Sequence, residues 1–408
     1  MPQSLTNFDS ALKDNYGPGL KNAVNNANAF LGEVKINDRD IIGRKAVWSL
    51  HTSRSASTGN RSELGTLPSA DRQRYSQLQD DLVFTYHTIK VSGPAKHLTR
   101  GDEGAFLRAL ESEIDGAEKD IKNDYARQVF GQALTDGTNL QSGVLAVLSA
   151  DPGTGTTLTI ANATKAEMRY FFVGEKLDVV NPASGALRTV PSGGVEITAI
   201  DASAKTLTVA AAIDAAVASG DYLVRFGNFG TEINGLRHLI STQKTANVDP
   251  ATVPSWGSVT AGSSTTQVSE VLLNESSEKV LTDGDGSTPD LWIIEYDQRR
   301  KLASQLQAQK RYDGMQTTLR SGWKGLDIAE GTLVADRYCP TNDGFGLTMS
   351  DIERFVGLDW TWDEDDGKVL YKALDGSDAV EARFKAYHQL VATKRNSHVR
   401  VTLSTPSF

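Results

Sequence analysis

Between Gly43 and Gly131 the chain lays out two alternating apolar strands joined by a long polar loop, then runs into one uninterrupted, one-faced helix. Ala46, Trp48 and Leu50 recur on one side of the first strand, and Leu82, Phe84 and Tyr86 on one side of the second. A period of two asks for one covered face. The connecting stretch from Thr52 to Gln79 has few large apolar residues and carries Arg54, Arg61, Arg72 and Arg74 against Glu63 and Asp71. A connection of that length and polarity has no core of its own, so it is either disordered or made for a partner. The expectation is a hairpin that grips a neighbouring copy, with neither strands nor loop able to bury themselves within their own chain.

The helix is the most firmly patterned element. Leu107, Leu110, Ile114, Ala117, Ile121 and Tyr125 recur at spacings of three and four, while Arg108, Glu111, Asp115, Glu118, Lys119 and Lys122 face away, the stripe of a lid over a sheet. From Asp102 to Phe130 it would run about 40 Å at 1.5 Å per residue. From Val144 to Phe226 the texture changes to Thr, Val, Ala and Gly, with short strands predicted at 158–160, 176–180, 195–200, 206–209 and 222–225. That spacing suits a small barrel or sandwich inserted into a host scaffold. Beyond it, Val268, Val271, Leu272 and Glu275 predict a short helix, Leu291–Ile294 a buried strand, Asp297–Gln309 a helix and Gly331–Ala335 a strand. Further pieces follow near Leu347 and at 355–362, 369–371, 379–388 and 399–403. Strands and helices mixed in this order predict an α+β architecture with two lobes.

Composition excludes more than it assigns. A length of 408 residues suggests two or three domains. The single cysteine, Cys339 beside Pro340, forbids an internal disulfide and reads as a small buried apolar residue. No apolar run approaches the roughly 20 residues that span a bilayer, and Met1-Pro2-Gln3-Ser4 does not open a secretion signal. The chain is therefore expected to act in the cytoplasm of the cell that makes it, with no membrane partner. Residues 1–100 carry 13 basic and 9 acidic side chains, a balance of +4, so the remainder carries −13 of the total of −9. A basic front and an acidic back can complement each other between identical subunits. The charge is not the clustered basic face of a sequence-specific nucleic-acid binder.

No catalytic, cofactor-binding or metal-binding residue is assigned, and no enzyme activity is expected. The six histidines are scattered, and no nucleophile elbow or phosphate loop occurs. Asp283-Gly-Asp-Gly-Ser287 has its glycines at the wrong positions for a calcium loop. Asp363-Glu-Asp-Asp-Gly367 reads as a solvated turn. Lys45, Lys90 and Lys96 at the base of the hairpin would suit an isopeptide crosslink only if an amine were pressed into a dry pocket; ordinary surface lysines are the simpler reading.

The succession of extended arm, long hairpin, spine-like helix, strand–helix–strand lobe and terminal strand resembles the major capsid proteins of tailed bacteriophages, the Hong Kong 97 type of fold. Residues 289–302, with Pro289, Trp292 and Leu302, then Lys324–Ile328, Leu333–Asp336, Pro340 and Gly344–Leu347, are similar to that family's late axial-lobe pattern. The resemblance covers about residues 1–140 and 230–408 and implies a plan. It comprises an arm (1–43), an extended hairpin loop (44–98), the spine helix of a peripheral lobe (99–140) and an inserted β-barrel-like domain (141–230). A return to the peripheral lobe (231–254), an axial lobe (255–346), and peripheral lobe with C-terminal strand (347–408) complete it. It further implies pentamers and hexamers closing an icosahedral head around double-stranded DNA, assembled in the host bacterial cytoplasm, with only nonspecific DNA contact. A separate scaffolding protein is expected, since no coiled-coil segment precedes the arm; portal and decoration proteins are further partners. The rival readings are a β-rich surface-binding module whose inserted barrel takes a ligand, and a hydrolase whose site the sequence does not reveal.

Overall fold

The computed structural model describes residues 21, 24, 27–92, 103–135, 140–161, 165–188, 193–214, 216–284, 286–308, 316–318, 324–328, 331–364, 368–369, 371–372 and 376–406. Most of the arm, Lys96, Asp102 and the side chains of Leu107, Leu110, Arg108 and Glu111 lie outside the described residues. Two long strands, Ile352–Trp362 and Ala379–Ala392, pair antiparallel at the centre of a five-stranded sheet. Val83–Ser92 pairs along the other edge of Ala379–Ala392, from Ala379 opposite Ser92 to His388 opposite Val83. Lys35–Asn37 adds in parallel beside Ile352–Trp362, and Tyr371–Lys372 beside the start of Ala379–Ala392.

Ala382, Phe384, Ala386, His388 and Leu390 point inward along their strand, while Arg383, Lys385 and Tyr387 alternate outward. The helix Glu103–Gln128 lies against the inward side, burying Ile114, Ala117, Ile121 and Tyr125 as their spacing predicts. Tyr125 meets Trp360 edge-on at 5.7 Å and His388 at 5.1 Å, and Trp360 stacks on Phe384 at 5.4 Å. Aromatic pairs in these geometries add about 0.5–1.5 kcal/mol beyond the area they bury. Phe384→Ala should therefore cost about 3–5 kcal/mol in a denaturant titration; a loss below about 1 kcal/mol would mean that this contact is not core.

A seven-stranded sheet follows, in the order Gln132–Thr135, Leu140–Val147, Tyr222–Arg225, Lys176–Val180, Val195–Asp201, Thr206–Val209, Thr157–Thr159. An isolated bridge between Leu148 and Ile160 returns its last strand to its second. There the Ser149 N–H donates to the Thr159 carbonyl at 2.9 Å and the Ala161 N–H to the Val147 carbonyl at 2.7 Å. The sheet begins earlier than the change of texture suggested, at Gln132. Its inward Leu145, Leu177, Val179, Ile197, Leu207 and Leu223 share one continuous core with the long helix and the five-stranded sheet.

The third sheet, also of seven strands, runs Val259–Gly262, Val399–Thr402, Asp343–Leu347, Leu291–Ile294, Gly331–Ala335, Lys324–Ile328, Gln316–Thr318. The C-terminal strand thus pairs between two strands of the 255–347 stretch. Leu291–Ile294 is buried on both faces, as its unbroken apolar run predicts. Leu291 and Ile293 join the main core; Trp292 and Ile294 meet Leu273, Val280 and Leu302 from two covering helices, Glu270–Asp283 and Tyr296–Ala308. The first of these helices starts where Ser269 Oγ accepts the Leu272 N–H at 3.1 Å, a side-chain cap for an otherwise unpaired donor. Position 346 takes glycine because a Cβ there would come within 2.7 Å of Val399 Cγ1 and 2.8 Å of the Trp292 indole.

The hairpin differs from the sequence expectation in two respects. Lys45–Ser53 pairs with Arg74–Asp81, not with the stretch from Leu82 onward, so the unpaired loop shrinks to 54–73. Arg74–Asp81 is polar with a single inward Leu78, too weak a pattern to read as a strand. The base is also covered by its own chain. Ala46 packs with Leu82, Phe355 and Val391, and Leu50 and Leu78 pack on Trp256, with Trp48 lying 6.4 Å from Trp256 and 6.2 Å from Phe355.

Candidate assembly surfaces

What the chain leaves uncovered is the loop itself. Leu64 and Leu67 at its tip are 99% and 80% exposed. Polar contacts shape the loop without a core. Asp71 accepts the Ala56 N–H at 2.9 Å and the Arg72 N–H at 2.8 Å, which hold its carboxyl below the ordinary range. Arg61 donates to the carbonyls of Thr66 at 2.7 Å and Asn60 at 2.9 Å. These bonds tie the two limbs together and leave both leucines facing out. Covering each would stabilise a contact by about 1.5–3 kcal/mol.

The outward face of the five-stranded sheet carries a second uncovered row. Phe84 and Tyr86 are 48% and 56% exposed. Phe84 meets Tyr387 edge-on at 4.9 Å, and the Tyr86 and Tyr387 hydroxyls lie 3.3 Å apart. Of the second predicted face only Leu82 is covered, in the hairpin base, while Phe84 and Tyr86 face outward and the strand buries Val83 and Ile89 instead. The Asp363 turn borders this row through ion pairing with Lys385 and a 3.3 Å bond from Tyr371, while 365–367 lie outside the described residues.

At the root of the hairpin a polar joint fixes its angle. Asn234 donates through Nδ2 to Asp80 and through its backbone N–H to Gln389 Oε1 at 2.8 Å, and Gln389 Nε2 donates to the Asp81 carbonyl at 3.2 Å. Arg44 pairs with Asp81 at 3.4 Å. A cleft of about 550 Å³ opens here, lined by Lys45, Asp80, Asn234, His238, Lys244 and Gln389 among others. Burial pushes the Asp80 carboxyl up to about 7, outweighing the Asp81 amide and Asn234. A pKa raised on folding stabilises the protein below the unfolded value and loses that contribution as pH rises through about 7. Going from pH 6 to pH 8 should therefore cost the wild type roughly 1 kcal/mol more than Asp80→Asn, read from denaturant midpoints; equal pH slopes would contradict the assignment.

Behind the joint, Arg395 is buried among the carbonyls of Leu239 at 2.8 Å, His238 at 3.3 Å, Gln243 at 3.1 Å and Ser241, and lies over the Trp256 ring at 5.2 Å. Burial pulls its pKa down to about 9. The arginine fixes the 238–256 segment on which the hairpin base packs. Two buried ionic clusters tie distant segments of the chain together. Arg127 of the long helix pairs with Asp124 at 2.8 Å and Glu232 at 2.7 Å. Arg237 pairs with Asp343 of the third sheet at 2.7 Å and with Glu167 at 3.0 Å, and Asp343 also takes Arg400 at 2.9 Å. Burial raises the Asp343 carboxyl, but the two arginines win and hold it below its usual range.

The residues weighed for chemistry are not brought together. His238 and His388 are buried and pushed down to about 3, chiefly by burial, so both are neutral fillers of the core. Cys339 is fully buried, its thiol raised by burial and directed at the carbonyls of Pro340 and Asp343. Lys45 is half-buried at the cleft and Lys90 is exposed on its strand, so neither amine lies in a dry pocket. Asp283 ends its helix at the Gly284 cap, with residue 285 outside the described residues. Among the described residues, no group of three or more His, Cys, Asp or Glu side chains could hold a metal ion, and no helix is long and apolar enough to cross a membrane.

No family model matches the chain, and no curated protein matches it. Solved structures do. A chain of the cyanophage A-1(L) capsid asymmetric unit is similar over 96% of this chain and 93% of its own, at 12% identity and a TM-score of 0.53. Weaker likenesses are a chain of Gordonia phage Cozz (12% identity, 92% and 86% covered, TM-score 0.44) and one of the holo-SrpI encapsulin complex from Synechococcus elongatus (7% identity, 94% and 90% covered, TM-score 0.44). The chain has the phage capsid fold, in a mixed α+β architecture, as the resemblance in its sequence implied.

Proposed function

We propose that this chain is the major capsid protein of a tailed bacteriophage, a structural, non-enzymatic subunit that assembles in the host bacterial cytoplasm into pentamers and hexamers and closes an icosahedral shell around double-stranded DNA. The observation that carries the reading is the capsid fold over nearly the whole chain. The exposed Leu64 and Leu67 at the end of a polar loop support it. A loop ordered by its own hydrogen bonds, with apolar residues outward, is suited to a partner's groove. In this reading residues 44–98 reach over a neighbouring subunit, 255–346 surround the symmetry axes, and 141–230, which hold all but the first strand of the second sheet, are an accessory module. Scaffolding, portal and decoration proteins are further partners. Packaged DNA is touched only nonspecifically, with the salt dependence of phosphate contacts.

Expression of the chain alone, followed by sedimentation and negative-stain electron microscopy, tests it. Pentamers, hexamers or shells, with uniform diameter reached once a scaffolding protein is supplied, are expected; a protein that stays monomeric at high concentration, alone and with added polyanion, would contradict the proposal.

A further inference from the structure

The two helices over the third sheet carry opposite charge. In Glu270–Asp283 the buried residues are Leu273, Ser276, Ser277 and Val280, which places Val271, Glu275 and Glu278 on the side away from the sheet. Val271 is 64% exposed. Four carboxylates, Glu270, Glu275, Glu278 and Asp283, stand against one lysine, a balance of −3. That lysine, Lys279, donates to the Thr260 carbonyl at 2.7 Å, on the flank toward the neighbouring strand. In Tyr296–Ala308 the balance is +2, from Arg299, Arg300 and Lys301 against Asp297. Its buried Gln298 and Leu302 turn Tyr296 and Arg300 outward, with Arg300 held at 2.7 Å by Asp297.

We propose that the acidic crest of Glu270–Asp283 in one copy docks on the basic crest of Tyr296–Ala308 in a second copy, a head-to-tail contact that orders subunits around a ring. The inference rests on the shell-forming reading above. A contact between two different patches of one molecule is heterologous, and repetition closes it into a ring when the rotation between copies is a whole fraction of a turn, as in the pentamers and hexamers of the shell-forming reading. Opposite charge on the two patches fixes that polarity: pairing either helix with its own kind sets like charges face to face, which costs several kcal/mol in comparable interfaces. Val271 and Tyr296 lie exposed among these charges and supply apolar area inside a polar rim.

Charge reversal of the full chain tests the contact. Glu275→Arg with Glu278→Arg should lower the particle yield about tenfold, and Arg299→Glu with Arg300→Glu should do the same. Combining all four reversals should restore assembly to near the wild-type yield. Far-ultraviolet circular dichroism and the thermal midpoint show whether each variant is folded. If one double variant misfolds, raised salt applied to the wild type is the second measurement: yield should fall between low and high ionic strength, because exposed pairs are screened. Double variants that assemble like the wild type would overturn the contact, as would a fourfold variant no better than the doubles, or a yield indifferent to salt. A wild type that forms no particles would instead strike at the shell-forming reading itself.

Discussion

Replacing residues 54–73 by an Asn-Gly pair yields a folded subunit that no longer closes shells. Ser53 and Arg74 are paired across the hairpin, so a two-residue turn joins them in register. The hairpin base keeps its own cover, since Ala46, Leu50 and Leu78 pack on Phe355, Val391 and Trp256. Shortening a loop of that length should even stabilise the subunit, by roughly 1–2 kcal/mol of closure entropy. What disappears is the pair of leucines and the reach that carries them. The thermal midpoint should rise or stay level while particle yield in sedimentation drops to background. Shells formed at wild-type yield would remove the loop from the account of assembly.

Arg237→Ala should cost about 3–5 kcal/mol, as much as emptying the aromatic core at Phe384. The side chain bridges Asp343 and Glu167, and all three groups are nearly or fully removed from solvent. Removing the cation leaves the buried Glu167 carboxylate with the neutral Gln132 amide at 3.4 Å where a charge stood, while Asp343 retains Arg400. The cost of an uncompensated buried charge exceeds the worth of the pair itself. Arg237→Met with Glu167→Gln should recover part of the loss, because a less charged cluster of similar volume is tolerated better. Denaturant midpoints measure both; a single variant within about 1 kcal/mol of wild type would show that water or Arg400 compensates.

Local pattern made some elements legible, and distance in the chain hid others. The stripe of Ile114, Ala117, Ile121 and Tyr125 and the run Leu291–Ile294 declared both their structure and their burial, because spacing alone carries that information. Strand order did not show: Val399–Thr402 lies between partners more than 50 residues away in sequence, and nothing in its letters names them. Arg74–Asp81 escaped because one inward leucine in eight residues gives no period. Nothing in the sequence marks Arg127, Arg237 and Arg395 for burial, yet all three are buried, since pairing and carbonyl cages are properties of the fold and not of the local sequence. The expectation that the hairpin finds no cover on its own chain fails at its base, where Ala46, Leu50, Leu78 and Leu82 are internal, and holds only for the loop tip and for Phe84 and Tyr86.

The most direct test of that division uses the reactivity of a single thiol. Cys339 is buried with its thiol pKa raised, so in a Leu67→Cys protein the new cysteine is the reactive one. Maleimide labelling should be fast in the dissociated subunit and at least about tenfold slower in assembled particles, where a neighbour covers the tip. Equal rates in both states would show that Leu67 stays bare in the shell, and the claim that this loop finds its cover on a sister molecule would fall.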